Sequence, residues 1–358
     1  MKKVAKTLSL FNYTPNDVLI GRSNHAFITG DSLAILRDLP DDCVNCVITS
    51  PPYFNQREYD FDSKYNKVAI GLEKNLNDYV ANLISVFAEV HRVIKPEGSL
   101  WLNIGDKFQN KELIGVPWCV ALALKDEGWI LRQDVIWHKM KGTQSVKDRF
   151  RNLHEHIFHF VKNRKYFFDA DAVRIPPKPA ISRNSEAISA TGVSGKKYYE
   201  FIKTTKTLNE NEKKNAKKAL DEAVQEIREG KITDFRMTIR GKQRTYHSDK
   251  ANMSGRANEL QERGFFIMKM SAKGFLPSNV WNIVPEDKWR KDNHCAVFPE
   301  ELIKIPMLFT TPKHGVVLDP FSGTGTTVVA AVKNGFRGIG IDISSEYNNL
   351  AYRRVSDA

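Results

Sequence analysis

Short apolar runs alternate with amphipathic stretches near both ends of the chain, and this alternation constrains the fold more than any other feature of the sequence. Cys43–Ile48 is predicted to be a buried strand that the two following prolines end, and Leu76–Val93 carries apolar residues at helical spacing. Near the carboxyl terminus, Gly315–Leu318 and Gly338–Ile341 are predicted strands. Strands that alternate with helices in this way predict an α/β fold, in which crossover helices cover a sheet.

The remaining predicted elements follow the same pattern. Strands are predicted at Ser99–Ile104, Ile130–Trp137, His154–Phe160 and Tyr166–Phe168, and helices at Val116–Lys125, Pro299–Phe309 and Thr326–Asn334. Between residues 176 and 275 the composition shifts to Lys, Arg, Asn, Ser and Gly, with one amphipathic helix and little strand signal. We therefore predict a domain formed by 1–175 and 276–358 that is interrupted by a basic module at 176–275. A flexible linker is the alternative for that insertion.

The charge of the chain indicates a polyanionic partner. A net charge of +12 and a pI near 9.3 favour nucleic acid, although a merely basic surface has the same composition. The four cysteines suggest no disulfide framework, and neither a signal peptide nor a membrane-length apolar run is evident. We expect a cytoplasmic protein without a membrane partner.

A glycine-rich loop follows the strand at Gly315–Leu318 and precedes a predicted helix. Gly323 and Gly325 permit a sharp turn and close approach of a ligand, and the next strand ends at Asp342, where a carboxylate can bind ribose hydroxyls. The loop lacks the Lys of a phosphate-binding P-loop, and Val328 stands where a dinucleotide fingerprint has its third glycine. The pattern favours a nucleoside cofactor over a tight turn that binds no ligand.

A second loop, Ser50-Pro51-Pro52-Tyr53, follows the predicted strand at Cys43–Ile48. Prolines fix the backbone, so the hydroxyl of Ser50 and the carbonyl of Pro51 could together accept both hydrogens of an exocyclic amine. Tyr53 offers a flat face on which a base can stack. A rigid turn at a strand end is the alternative that these four residues leave open.

Together the two loops resemble those of the S-adenosylmethionine-dependent DNA amino-methyltransferases, in the order of the family's β arrangement. Further matching motifs are Gly30-Asp31-Ser32-Leu33, Arg92–Gly98, His294–Leu302 and Gly338–Asp342. The resemblance implies a Rossmann-like, seven-stranded, mostly parallel sheet with helices on both faces. It also implies an inserted target-recognition module, S-adenosylmethionine as cofactor and double-stranded DNA as partner.

The resemblance also assigns roles to residues. It implies catalytic roles for Ser50, Pro51, Pro52 and Tyr53. The residues it assigns to cofactor binding are Asp31, Asp319, Phe321, Ser322, Gly323, Gly325, Thr326, Asp342 and Glu300. Within that set, Asp31 is expected near the adenine, Asp342 at the ribose, and Phe321–Gly323 at the methionine end. In the insertion, the candidate DNA contacts are Arg236, Arg240, Lys242 and Arg244.

Ser at the first position of the catalytic loop goes mostly with cytosine N4 in that family, so Ser50 predicts a cytosine-N4 methyltransferase of a restriction–modification system. An adenine-N6 methyltransferase is the alternative, followed by a non-catalytic DNA-binding regulator and an RNA or protein amide methyltransferase. A cognate restriction endonuclease is expected as functional partner, and the chain as monomer or homodimer. No metal is expected, because His154, Glu155, His156 and His159 lack the spacing of a zinc motif.

Overall fold

The computed structural model describes residues 13–55, 70–140, 145–176, 181–183, 186–188, 195–241, 255–285 and 298–357. Contacts between Cα atoms divide the chain into two compact units. The first unit combines Met1–Val173 with Ser278–Ala358, and the second is Arg174–Pro277. These limits lie within two residues of the boundaries that the change in composition predicts.

The strands and helices of the described residues are as follows. The strands are β1 (His25–Thr29), β2 (Val44–Thr49), β3 (Ile94–Ile104), β4 (Phe108–Gln109), β5 (Glu112–Leu113), β6 (Ile130–Lys139), β7 (His154–Val161), β8 (Ile181–Arg183), β9 (Glu186–Ile188), β10 (Ile232–Ile239), β11 (Phe265–Ser271), β12 (Val280–Ile283), β13 (Val316–Asp319) and β14 (Arg337–Asp342). The helices are α1 (Pro15–Leu19), α2 (Ser32–Arg37), α3 (Leu76–Val93), α4 (Val116–Asp126), α5 (Gly195–Thr204), α6 (Glu210–Arg228), α7 (Gly255–Arg263), α8 (Glu300–Thr310), α9 (Thr326–Lys333) and α10 (Ser345–Ser356).

Within the described residues of the first unit, eight strands form one sheet in the order β1-β14-β13-β2-β3-β7-β6-β12. Every strand is parallel to its neighbours except β7, which is antiparallel to both β3 and β6. The mostly parallel sheet is thus confirmed, but it has one strand more than the expected seven. The additional strand is β12, which pairs with β6 at the edge and is too short to give a clear periodic signal.

The order of the strands creates a switch point between β2 and β13. From β2 the chain crosses to β3 on one side, whereas from β13 it crosses to β14 on the other. The two strands are adjacent and parallel, with Val317 opposite Cys46 and Leu318 opposite Val47. A crevice opens at the carboxyl ends of strands at such a point, and open α/β sheets bind their ligands there.

Helices pack on both faces of this sheet. Val47 and Leu100 are buried in a cluster with α3 and α4, whereas their neighbours Ile48 and Trp101 are buried in a second cluster with α8 and α9. Successive side chains of a strand point to opposite faces, so a strand covered on both sides is mostly apolar. Strand β2 is buried along its whole length and is apolar except for Asn45 and Thr49, whose side chains are hydrogen-bonded.

The segment Tyr166–Phe168 is not a strand, contrary to the prediction. Its backbone makes a hydrogen bond to the start of β3, from Phe167 N to Glu97 O at 2.9 Å, but does not pair with that strand as a ladder. The rings of Tyr166 and Phe168 instead pack against His159 and Phe309, with centroids 5.5 and 5.9 Å apart. The alternating aromatic pattern therefore serves ring packing and not a strand ladder.

The second unit has a hydrophobic core of its own. Strands β10 and β11 pair antiparallel, and α6 packs on them with Leu220 buried beside Phe235 and Phe265. The predicted amphipathic helix corresponds to α6, which begins with a capping box at Asn209. The two strands were not predicted from the sequence, because charged residues such as Arg236 interrupt their apolar runs.

The chain enters and leaves the second unit at one antiparallel bridge. Ile175 N donates to Phe275 O at 2.8 Å, and Phe275 N donates to Ile175 O at 3.1 Å. Gly274 adopts a φ of +90°, and a Cβ there would stand 2.1 Å from the carbonyl oxygen of Ile175. The close approach of the two segments therefore requires glycine at this position.

Candidate active site

The side chain of Asp319 joins the two loops at the switch point. Its carboxylate accepts hydrogen bonds from the hydroxyls of Thr49 and Thr327, each at 2.6 Å, and from the backbone N–H of Phe321 at 3.0 Å. Burial raises the pKa of Asp319 to about 6, although these donors oppose the shift. Thr49 immediately precedes the catalytic loop, so the carboxylate ties both loops to one point.

The glycine-rich loop has one side that is open and one that is packed. A Cβ at Gly323 would meet no atom within 4 Å, so this residue borders free space. Gly325 has a φ of +80°, and a Cβ there would stand 2.5 Å from Ala351 Cβ. It is also the N-cap of α9, where no side chain caps the first N–H groups. The loop therefore leaves open space beside Gly323, where a ligand could lie, and the first N–H groups of α9 have no side-chain cap.

Acceptors for a cofactor lie around this free space. Burial raises the pKa of Asp342 to about 6, and its carboxylate accepts from Gly323 N and Ser344 N, both at 2.8 Å. The hydroxyl of Ser322 is buried, and no described residue bonds to it. Each carboxylate oxygen has two acceptor positions, so Asp342 retains capacity for ribose hydroxyls. These groups fit a nucleoside with a polar tail.

The end of β1 brings further groups to the same edge. Gly30 N donates to the carbonyl oxygen of Asp342 at 3.0 Å, and Ser32 Oγ donates to the carbonyl oxygen of Pro320 at 2.5 Å. Asp31 caps α2 by accepting from Ala34 N at 2.9 Å. The ends of β1, β14 and β13 thus bring Asp31, Asp342 and the glycine-rich loop to one edge of the sheet.

Two residues of the expected cofactor set bond to protein groups instead. Arg354 donates to Thr326 Oγ1 at 3.0 Å and to the carbonyl oxygen of Thr324 at 2.6 Å, and it pairs with Glu300 at 3.5 Å. Glu300 also pairs with Lys333 at 3.0 Å. Thr326 and Glu300 therefore support the glycine-rich loop through Arg354, and their expected contact with the cofactor stays a prediction.

A closed network of hydrogen bonds holds the catalytic loop. Tyr53 Oη donates to Glu155 Oε2 at 2.7 Å, and Ser50 Oγ donates to Tyr53 Oη at 3.4 Å. Asn103 Nδ2 lies 3.3, 3.1 and 2.9 Å from Ser50 Oγ, Tyr53 Oη and Glu155 Oε2. Lys139 forms an ion pair with the other oxygen of Glu155. The loop thus rests on residues of three further strands, β3, β6 and β7.

The direction of these bonds leaves Ser50 one acceptor position. Its hydrogen points to Tyr53 and one lone pair accepts from Asn103, so the second lone pair remains for another donor. Burial and the charge of Glu155 raise the pKa of Tyr53 well above its usual value, so the phenol keeps its proton. Gly105 is required here, because a Cβ would stand 2.8 Å from Tyr53 Cε2.

The two prolines of the loop differ in their carbonyl groups. Tyr79 Oη donates to the carbonyl oxygen of Pro52 at 2.9 Å, which anchors the loop to α3. Within the part of the chain that the structure describes, no group donates to the carbonyl of Pro51. The structure therefore leaves the Pro51 carbonyl and the Ser50 hydroxyl available as the acceptor pair that the sequence suggested.

Glu155 is a site residue that the sequence analysis did not identify. Strand alternation correctly puts it opposite His154 and His156, and its side chain is only 8% exposed. A buried acid at the start of a strand next to β3 was the available signal. The histidines have structural contacts: His159 stacks on Trp101 with centroids 4.1 Å apart, and His156 bonds to Asp134 at 2.9 Å.

The candidate DNA contacts of the second unit have different surroundings. Arg236 is exposed on β10, between buried neighbours. Arg240 is held by an ion pair with Glu212 at 2.9 Å and donates to the carbonyl oxygens of Thr207 and Gln261. Arg236 therefore fits a DNA contact better than Arg240 does. Lys242 and Arg244 lie outside the described residues.

The described residues contain neither a membrane-spanning helix nor a metal-binding cluster. No helix among them is both long and apolar enough to cross a bilayer. No cluster of three or more His, Cys, Asp or Glu side chains within the same ranges could hold a metal ion.

Known proteins resemble this chain along nearly its whole length. A family model described as DNA methylase matches residues 44–353. The type II methyltransferase M.SfiI of Streptomyces fimbriatus is 30% identical, over 90% of this chain and 89% of that protein. M.SmaI of Serratia marcescens, also a type II methyltransferase, is 28% identical over 99% of both chains. The structure of PvuII DNA methyltransferase (cytosine-N4-specific) has a similar fold, with a TM-score of 0.56, 17% identity and coverage of 93% and 86%.

Proposed function

This chain belongs to the DNA methylase family, and from that premise we propose that it methylates the exocyclic N4 amine of a cytosine flipped out of duplex DNA. Members of this family use S-adenosylmethionine. The enzyme is a DNA methyltransferase of the restriction–modification kind. We infer a cognate endonuclease as its functional partner.

The observation that carries the proposal is the bond between Thr49 and Asp319 at 2.6 Å. It joins the end of β2, which leads into the Ser50 loop, to the end of β13, which leads into the glycine-rich loop. Transfer of a methyl group needs donor and acceptor held together in the correct orientation, which can supply much of the rate acceleration. Two adjacent loops of complementary chemistry meet this requirement.

The cofactor would lie along the glycine-rich loop. Asp342 would accept from its ribose, Asp31 would lie near its adenine, and Phe321–Gly323 would line its methionine end. Asp319 and Gly325 would shape the loop from within, through the buried hydrogen bonds and the packing described above. When bound, the sulfonium supplies a methyl group that a nitrogen lone pair can attack.

Ser50 and Pro51 would prepare the target amine for the reaction. The nitrogen of an aromatic amine is a weak nucleophile, because its lone pair is delocalised into the ring. The Ser50 hydroxyl and the Pro51 carbonyl would accept its two hydrogens and hold the lone pair out of conjugation. Tyr53, fixed by Glu155 and Asn103, would stack on the base. No covalent enzyme intermediate is required.

The net charge of +12 supports binding of a duplex through its phosphates. We propose that the second unit recognises the target sequence, with exposed Arg236 among its contacts. By family resemblance, Ser50 favours cytosine as the target base. We further propose that the cognate endonuclease is a functional partner and not a subunit.

Mass spectrometry of nucleosides tests the proposal directly. Unmethylated bacterial genomic DNA is incubated with the enzyme and isotopically labelled S-adenosylmethionine, and is then digested to nucleosides. Labelled N4-methylcytosine is the expected product. Labelled N6-methyladenine would replace the cytosine assignment with adenine and keep the reaction class. Label in neither base, with DNA binding intact, would point to a regulator, and label in RNA or protein would identify a different substrate.

A further inference from the structure

Phe150 has the most exposed large apolar side chain of the described residues, with 97% of its surface accessible. The next is Met140 at 58%, and it lies in the same connection between β6 and β7. A single exposed apolar residue is normal, but a fully exposed phenylalanine forgoes the burial that makes this side chain stabilising. Full exposure of so large a ring favours a partner that covers it.

This connection lies at the catalytic edge of the sheet. Strand β6 is parallel to β2 and β3, so the chain leaves β6 at the edge where it also leaves β2 for Ser50. A hydrogen bond from Lys139 N to Leu153 O at 2.7 Å closes the connection. Glu155, two residues further along, bonds to Tyr53. Phe150 is therefore five residues from a side chain that holds the catalytic loop.

A second contact ties Phe150 to the same region. The guanidinium carbon of its neighbour Arg149 lies 3.6 Å from the ring centroid of Phe108. Phe108 begins β4, three residues after Gly105, where an added Cβ would stand 2.8 Å from Tyr53 Cε2. Arg149 thus stacks on a segment that follows β3 and begins beside the catalytic loop, and this contact helps to fix the position of Phe150.

The charge around Phe150 fits a nucleic acid. Lys147, Arg149 and Arg151 are exposed around it, and Asp148 is the one acidic residue among them. Apolar protein partners rarely match three cations within five residues, whereas a base stack flanked by phosphates presents an apolar surface between negative charges. The chemistry of the segment therefore favours duplex DNA.

We propose that Phe150 is a wedge that enters the base stack of duplex DNA at the position vacated by the flipped target base. The inference rests on the proposed function, since only an enzyme that extrudes a base leaves a gap to fill. Aromatic and aliphatic side chains inserted between base pairs offset the cost of unstacking. The flanking cations hold the phosphates on either side of the gap.

A substrate series separates this role from ordinary DNA binding. The methylated site is first mapped on genomic DNA, and two short duplexes are made, one fully paired and one with a mismatch opposite the target base. The kcat/KM of Phe150→Ala should fall about 10- to 100-fold on the paired duplex, the loss typical of one stacking contact. On the mismatched duplex the loss should shrink to less than about threefold, because that base is already unpaired.

Two variants provide controls. Phe150→Trp keeps a flat ring and should retain activity on both duplexes. Leu122→Ala, at a 53% exposed apolar residue on α4, should behave as the unchanged enzyme. Unchanged melting temperatures would confirm that Phe150→Ala is folded, as its exposure predicts.

Other outcomes would overturn the wedge. An equal loss on both duplexes would make Phe150 a general DNA contact, and no loss would point to a protein partner for the exposed ring. Either result leaves the proposed function intact, because the unchanged enzyme would still methylate the paired duplex. Absence of methylation by the unchanged enzyme would instead reject the proposed function.

Discussion

Thr49 donates its hydroxyl hydrogen to the buried carboxylate of Asp319 at 2.6 Å, although the two residues are 270 positions apart in the chain. The bond crosses the pair of strands that carry the two loops of the active site. A shift of one loop would therefore disturb the other. This coupling between distant parts of the sequence leads to the first prediction.

Thr49→Val should destabilise the protein by about 1–3 kcal/mol at pH 8, the cost of leaving a buried acceptor without its donor. The folded pKa of Asp319 is raised from 3.8 to about 6, so its protonated form is favoured on folding. Stability from this group is therefore complete below pH 4 and is lost as pH rises through 6. The variant removes a donor to the charged form, so its cost should be larger at pH 8 than at pH 5.

Urea unfolding of Thr49→Val at the two pH values measures this difference. Thr49→Ser keeps the hydroxyl and serves as the matched control, with little dependence on pH. An equal cost of Thr49→Val at both pH values would show that lost packing, and not the carboxylate, is responsible.

Asp342 should make cofactor binding depend on pH. Burial raises its pKa to about 6, and ribose hydroxyls donate best to the ionised form. The affinity for S-adenosylmethionine should therefore rise as pH increases through about 6 and level off above it. Calorimetric titration of Asp342→Asn should show weaker binding without this rise. A variant that keeps the pH dependence of the unchanged protein would assign the titration to another group.

Ser50→Ala should reduce turnover while it spares cofactor binding. Loss of one hydrogen bond to the reacting amine should lower kcat by about 10- to 100-fold. The affinity for S-adenosylmethionine should stay the same, because Asp342 and the glycine-rich loop are untouched. Ser85→Ala on the exposed side of α3 provides a serine control with normal kcat. Undiminished turnover of Ser50→Ala would exclude this hydroxyl from the reaction.

Glu155 should act as a positioning residue through Tyr53. In Glu155→Gln the amide cannot accept from Tyr53, Asn103 and Lys139 together, so the direction of the bonds toward Ser50 changes. We expect kcat to fall by about 10- to 100-fold, as for loss of a bond to a charged group, with cofactor affinity unchanged.

A double-mutant cycle tests whether Glu155 acts through Tyr53. Tyr53→Phe keeps the ring but removes the hydroxyl, so the double variant Tyr53→Phe with Glu155→Gln should lose little beyond either single variant. If the fold-losses in kcat of the two single variants multiply in the double variant, Glu155 does not act through Tyr53. Glu155→Asp restores the carboxylate and should recover part of the turnover.

Arg236 is a candidate DNA contact, and Arg240 in the same unit serves as its matched control. Arg236→Gln should weaken binding uniformly across sequences and reduce the slope of log affinity against log salt by about one, if it contacts one phosphate. Arg240→Gln should leave that slope unchanged and lower the stability of the second unit, since it breaks the contact with Glu212. A salt slope that responds to Arg240 and not to Arg236 would reverse the assignment.

The sequence predicted the fold where periodic patterns are long. The helix at Leu76–Val93 has the predicted bounds, and β2, which is apolar except for Asn45 and Thr49, indicates a strand covered on both faces. Strand β12 was missed because only two of its four residues are buried. The pattern at Tyr166–Phe168 was misleading, because ring packing and strand pairing both favour aromatic residues.

The sequence pointed to the two loops of the candidate site but not to the groups that support them. Asp342 and Gly323 lie together because a strand end and a glycine turn have local signatures. Glu155 and Arg354 have none, because their partners are set by the order of the strands and by helix packing. The ion pair between Glu300 and Arg354 could not be predicted for the same reason, since the two residues are brought together only by the folded chain.

The bridge between Ile175 and Phe275 has an evolutionary consequence. The two ends of the inserted segment are paired by this bridge. Recombination at the DNA level could therefore lengthen, shorten or replace the segment between them without moving the two points at which it joins the host domain. On the proposal that the second unit recognises the target sequence, lineages could acquire new sequence preferences by such exchange and keep the chemistry of the host domain unaltered.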